Sequence, residues 1–167
     1  EVFSSCAGAA IYRKSVFDEI GLFDESFFAY LEDMDIGYRA RLAGYRNLYN
    51  PYAKVYHLGS ASSGSRHNAF KVELSARNSM YMLRKNMPAW QMVLNVPFIA
   101  AGIIIKTVYF ARKGLVTAYL KGIVKGLSGK LRNTSKNAGE KHKDTGFATY
   151  LGLQMWLFRG MIKRVKK

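Results

Sequence analysis

Three carboxylates within four residues, Glu32-Asp33-Met34-Asp35, open a stretch that ends in Arg39, Arg41 and Gly44. That order fixes a helix and its direction. Acids suit the positive end of a helix dipole, and a glycine just past the end can take the left-handed stop position. Leu31, Ile36, Ala40 and Ala43 recur at roughly helical spacing, so one side faces a core. Glu32 and Asp33 are thereby expected at an exposed helix start, where an ionised carboxylate can take a proton from an incoming hydroxyl. An acidic first turn with a purely structural role explains the same pattern.

The neighbouring segments read as a mixture of helix and strand. Ser4 to Tyr12 has the character of a short apolar strand or turn, and Ser15 to Ile20 that of a short helix stopped by Gly21. Phe23, Phe27, Phe28 and Tyr30 cluster just before the acidic block, as a packed wall beneath the helix or as a surface for a sugar ring. Residues 46–50 and 53–58 have β character around Pro51, with His57 near the end of the second segment. A lone histidine there reads first as a hydrogen-bonded core residue. Gly59 to Ser65 is a polar loop, either a linker or a lid that would close with Arg66 and His67 over a diphosphate. Asn68 to Lys85 then carries a helical pattern that stops before Pro88.

Charge divides the 167 residues unevenly. Residues 1–50 hold 5 Lys/Arg against 8 Asp/Glu, a net of −3, whereas residues 51–167 hold 21 against 3, a net of +18. A basic, apolar half of this kind implies an anionic surface nearby. Trp90 to Ile105 is a 16-residue uncharged run, interrupted by Gln91, Asn95 and Pro97. It is short of the roughly 20 residues of a spanning helix unless Lys106 snorkels and Thr107 to Ala111 extend it. Gly114 to Leu127 reads as an amphipathic helix with Val116, Tyr119, Leu120, Ile123 and Leu127 on one face and Lys121 and Lys125 on the other. Ser128 to Thr145 is polar and loop-like, and Met155 to Lys167 combines Trp156 and Phe158 with five basic residues. Basic amphipathic helices with aromatic anchors lie in the interface of anionic bilayers. The single cysteine, Cys6, excludes an internal disulfide and reads as a small buried residue.

Several of these segments together resemble a known family. Cys6 to Ala10, Arg13 to Phe28, the Glu32-Asp33-Met34-Asp35 block, Arg39, Gly44-Tyr45-Arg46, Val55-Tyr56-His57 and Arg77-Asn78 follow one another in its order. The chain resembles the C-terminal half of the catalytic domain of family 2 inverting glycosyltransferases of the GT-A type, in the bacterial rhamnosyltransferase-like branch. The resemblance covers residues of about 5 to 87. It implies an α/β fold, the C-terminal portion of a GT-A (nucleotide-diphospho-sugar transferase) domain over 1–87; from its own basic and apolar pattern, 88–167 is expected to follow as an α-helical, membrane-associating tail.

The resemblance also implies roles. Asp33 would be the general base on the acceptor hydroxyl, with Glu32, Asp35, Phe28 and Tyr30 around the acceptor. His57 would join donor-side aspartates on Mn2+ or Mg2+, and Arg66 and Arg77 would meet the diphosphate or serve structure, Arg77 through an ion pair to the acidic helix. No paired aspartate precedes the acceptor region, so the chain is expected to be a fragment without transferase activity of its own. The partners implied are a nucleotide-sugar donor, a lipid-linked or glycan acceptor and an anionic membrane surface, with a homo-oligomer left open. The expected location is the cytoplasmic face of a bacterial membrane, in peripheral or monotopic attachment. The competing reading is a non-enzymatic basic module on a membrane or nucleic acid. The alternation of basic residues with apolar helical faces argues against nucleic acid.

Overall fold

A computed structural model describes residues 1–56, 68–129 and 146–165 of the chain, with the side chains of the last helix described to Arg159. Among the described residues there are six helices: α1 Lys14–Ile20, α2 Glu32–Leu42, α3 Ala69–Asn86, α4 Ala89–Ala111, α5 Val116–Ser128 and α6 Phe147–Val165. Short 3-10 turns occupy Ala7–Ala9 and Glu25–Phe27. Local chemistry sets several boundaries. Gly21 stops α1 at φ 79°, Gly44 follows α2 at φ 86°, and Gly114 turns the chain from α4 into α5 at φ 68°. At the start of α3 the Asn68 side chain accepts from the Lys71 N–H at 2.9 Å.

The expected α/β fold is overturned. Among the described residues there is no strand, and pairing is confined to a single antiparallel bridge between Val2 and Asn47. Residues 46–50 and 53–56 carry β-forming side chains but have no neighbouring strand, and Leu48, Tyr49, Tyr52, Val55 and Tyr56 are exposed. Strand propensity is realised only where a partner ladder exists. The segment at Ser4 to Tyr12 instead runs over α2, where Gly37 lets it approach closely; a Cβ on Gly37 would lie 2.3 Å from that of Ser4. Asn47 fastens it further by donating from Nδ2 to the Phe3 carbonyl at 2.7 Å. Arg41 adds bonds to the Val2 and Phe3 carbonyls and stacks on Trp156 of α6 at 4.2 Å.

Among the described residues, three small apolar clusters hold the helices together. Val16 and Ile20 of α1 meet Ile36 and Ala40 of α2. Tyr38 and Leu42, on another side of α2, meet Leu153 of α6. Val72, Ala76 and Met80 of α3 meet Tyr119 and Ile123 of α5. Each large apolar side chain buried this way contributes about 1.5–3 kcal/mol. The α3–α5 contact is close because Gly122 and Gly126 face α3. A Cβ at these positions would lie 2.3 Å from the Glu73 carbonyl oxygen and 2.4 Å from that of Arg77.

The expected faces of α5 are rearranged by this contact. Tyr119 and Ile123 of the expected apolar face are buried, but Leu120, Val124 and Leu127 are exposed, along with Lys121 and Lys125, which pair with Glu73 of α3. Helix α4 is inverted in the same sense. Its buried residues are Gln91 and Asn95, the polar interruptions of the apolar run. Tyr38 donates to Gln91 at 2.9 Å, and Gln91 and Asn95 both donate to Gln154 of α6 at 2.9 and 2.8 Å. Outward along α4 point Val93, Leu94, Val96, Ile104, Ile105 and Val108. Among the described residues, α4 is the helix long and apolar enough to cross a membrane; its 23 residues rise about 35 Å.

Candidate functional site

The acidic block sits at the first turn of α2, and the loop that delivers it is strained. Phe28, Tyr30 and Leu31 have φ of 62°, 68° and 70° without being glycines. Left-handed backbone costs roughly 1–3 kcal/mol at each such residue and persists only where surroundings impose it. Here the imposing group is Asn78, fully buried on α3. Its Nδ2 donates to the carbonyls of Phe27, Ala29 and Tyr30 at 2.9, 2.7 and 2.8 Å. Arg77 fixes the amide from the other side by donating to Asn78 Oδ1 at 2.9 Å. The Arg77 guanidinium also lies 5.8 Å over the Tyr81 ring.

The ion pair expected between Arg77 and the acidic helix is made by Lys85 instead, farther along α3. Its Nζ bridges Asp24 at 2.7 Å and Asp35 at 3.0 Å. Asp35 also takes bonds from Arg39 at 2.9 Å and from Asn86 at 2.8 Å, and its side chain has 0% exposure. Arg39 in turn reaches the Ile20 and Leu22 carbonyls at the end of α1. A carboxylate so enclosed is a fastening between α1, α2 and α3. As placed, it does not meet solvent or an acceptor.

Asp33 is treated differently by the fold. Its Oδ2 accepts from the Ala7 N–H at 3.2 Å, an exposed contact, and its Oδ1 from the Met34 N–H at 2.8 Å, a part-buried one, and the residue is half-buried. Two backbone donors thus orient the carboxylate without enclosing it. Ser4 donates to the Met34 sulfur at 2.8 Å, which ties the same N-terminal segment to this turn. Glu32 is half-buried, and its Oε2 is buried with no hydrogen-bond partner. The hydroxyl of Tyr12 is the other such atom among the described residues. Burial pushes the Tyr12 phenol above its usual range, with the nearby charges of Asp33, Cys6 and Glu32 adding to the effect. Cys6 itself is exposed, contrary to the expectation of a buried cysteine.

Of the aromatic residues before α2, Phe27 is fully buried against Tyr81 at 5.0 Å, and Phe23 packs on Tyr12 and Phe17. Phe28 and Tyr30 are exposed. The structure therefore brings Glu32, Asp33, Phe28 and Tyr30 to one end of α2, puts Asp35 beneath them and Arg77 behind them. His57 and Arg66 lie outside the described residues. Among the described residues no group of three or more His, Cys, Asp or Glu is arranged to hold a metal ion. Tyr12 and Lys85 enter the site with no signal of their own in the sequence. Asn78 has one only as half of the Arg77-Asn78 pair.

No protein-family model matches the chain, and no solved structure matches it significantly. Curated proteins do. The N-acetylglucosaminyl-diphospho-decaprenol L-rhamnosyltransferases of two Mycobacterium tuberculosis strains are each 43% identical to it over 54 residues, which is 32% of this chain and 18% of theirs. Part of this chain is glycosyltransferase-like. An uncharacterized protein of Sinorhizobium fredii is 32% identical over 80 residues, 47% of this chain and 9% of that protein. The matched stretch is thus under one fifth of the length of each of these relatives.

Proposed function

We propose that the protein carrying this chain is a family 2 inverting glycosyltransferase that moves a sugar from a nucleotide-sugar to a lipid-linked or polysaccharide acceptor in cell-surface glycan synthesis. Asp33 is the general base. It takes the proton of the acceptor hydroxyl as that oxygen bonds to the anomeric carbon, while the bond from that carbon to the nucleotide diphosphate breaks on the opposite face. One displacement of this kind inverts the configuration. The observation that supports Asp33 over Asp35 is the division of labour at α2: Asp35 is enclosed and ion-paired, whereas Asp33 is half-buried and oriented by two backbone donors, one of them at an exposed contact. Glu32, Phe28 and Tyr30 contact the acceptor. In the complete enzyme, His57 would be among the ligands of a Mn2+ or Mg2+ ion that would neutralise the leaving diphosphate, and Arg66 would add positive charge there. The proton transfer to Asp33 does not pass through either.

The outward apolar side of α4 and the charge of +18 over residues 51–167 support attachment to the cytoplasmic face of an anionic membrane. Such a position would suit an acceptor that is itself anchored in lipid. The test is Asp33→Asn in the full-length protein. Loss of a general base lowers transfer by about 10²–10⁴-fold, while nucleotide-sugar binding persists. Turnover at the wild-type rate would assign the base elsewhere.

A further inference from the structure

Helix α4 has two sides that differ along most of its length. One is packed inward. Gln91 and Asn95 bond to Gln154 of α6, Gln91 also accepts from Tyr38 of α2, and Ile99, Ile103 and Phe110 pack on the cluster between α3 and α5. From Gln91 to Phe110 this inward row runs about 28 Å. The other side has no cover among the described residues. Val93, Ile104 and Val108 are 70%, 63% and 49% exposed. At about 100° per residue they fall within roughly 60° of one another around the helix, and Lys106, the charged residue of α4, falls about 140–160° away from each.

A helix held in this way cannot cross a bilayer. A spanning helix meets hydrocarbon on every side over about 30 Å. Here the inward side of α4 would carry α3 and α5 with it, and with them Glu73, Lys121 and Lys125. Charged groups in hydrocarbon are costly. An amphipathic helix that lies flat needs only its outward side submerged. Charge indicates what covers that side. Between Glu73 and Glu140 the sequence has no Asp or Glu, against eleven Lys and Arg. Arg112 and Lys113, directly after α4, are exposed and make no ion pair among the described residues. A second copy of the chain on this side would set like charges together, whereas lipid phosphates complement them.

We propose that α4 lies in the plane of the membrane interface, with Val93, Ile104 and Val108 among the acyl chains and Arg112 and Lys113 at the phosphates of anionic phospholipids. This placement rests on the membrane attachment proposed above and supplies its geometry. It also fixes the height of the general base. Tyr38 lies five residues beyond Asp33, about 7.5 Å along α2, and donates to Gln91 of α4.

The experiment is depth measurement by spin-label EPR on the full-length protein, bound to vesicles of phosphatidylglycerol and phosphatidylcholine in equal parts. Cys6 and any other native cysteine are replaced by Ser, and single cysteines for the label are placed at Val93, Ile104, Val108 and Lys106. The expected result is one common depth for the first three, with Lys106 shallower by about 10 Å, the width of a helix. A depth that changes by about 22 Å between Val93 and Val108 would overturn the in-plane helix and leave attachment standing. Absence of binding to vesicles would overturn both, as would labels that broaden one another without lipid, which would assign the stripe to a second copy. Arg112→Gln with Lys113→Gln should lower partitioning by about 25-fold, about fivefold for each charge. Equal partitioning of this variant and wild type would overturn the phosphate contact. Turnover is not read, so the assignment of Asp33 stands or falls separately.

Discussion

The side-chain nitrogen of Asn78 lies 2.8 Å from the carbonyl oxygen of Tyr30, and that bond is one of three by which α3 holds the approach to α2. Asn78→Ala would leave the three carbonyls without this donor at a place where the backbone is already left-handed. The expected loss of stability is about 1–3 kcal/mol, read by urea denaturation. Transfer should fall more than nucleotide-sugar binding, because the loop positions Phe28, Tyr30 and Glu32. Asn78→Asp should be worse, since a carboxylate would face three carbonyl oxygens. Equal stability of the two variants and wild type would contradict the clamp.

Asp35 fastens three helices through Arg39, Lys85 and Asn86. Asp35→Ala removes the carboxylate from the fully buried Arg39 guanidinium, while Lys85 keeps Asp24, and is expected to cost about 3–5 kcal/mol. Lys85→Met should cost less, because Asp35 keeps Arg39 and Asn86. The double variant should be less destabilised than the sum of the singles, which a double-mutant cycle measures. An additive cycle would mean that Lys85 and Asp35 do not act on one another.

The start of α2 and its glycine stop are legible in the sequence, because the pattern of acids, apolar spacing and Gly44 is local. The Asp35–Arg39 pair, four residues apart, is legible in principle as a helical neighbour relation. What stays hidden is that Asp24, Asn78 and Lys85 surround that helix, since contacts between residues distant along the chain leave no spacing in a sequence. The strands expected at 46–50 and 53–58 fail over the described residues 46–50 and 53–56 for the opposite reason: β propensity is visible locally, but the partner ladder that realises it is not. In α4 the apolar run is plain, and the burial of Gln91 and Asn95 is not. Tyr38 on α2 and Gln154 on α6 make these two residues the inward ones.

Gly122 and Gly126 set the separation of α3 and α5. Alanine at either position places a methyl carbon within 2.4 Å of a carbonyl oxygen of α3, so the helices must move apart. Overpacking of this kind costs about 1–3 kcal/mol, which exceeds the gain of up to about 1 kcal/mol in helix propensity. Thermal melting of Gly122→Ala and Gly126→Ala should therefore show lower midpoints. A rise in either midpoint would contradict the close contact.

The same interface should respond to acid. Hydrogen bonding from Lys125, with Lys121 nearby, holds the Glu73 carboxyl below its usual 4.5. A carboxyl depressed on folding stabilises the fold above its unfolded value and loses that contribution as pH falls through the folded one. Glu73→Gln should thus lower stability slightly at neutral pH and flatten its decline below about pH 4.5. The difference should shrink in high salt, as it does for pairs near the surface. Identical pH profiles for variant and wild type would show that the pairing contributes nothing.

The central claim is that Asp33, and not the carboxylates beside it, takes the acceptor proton. Its most direct measurement is the transfer rate of the full-length protein as Glu32→Gln, Asp33→Asn and Asp35→Asn, each with its melting midpoint. Asp33→Asn is expected to lose transfer by about 10²–10⁴-fold at an unchanged midpoint, Asp35→Asn to lower the midpoint, and Glu32→Gln chiefly to weaken acceptor binding. Full transfer by Asp33→Asn, with its fold intact, would contradict it.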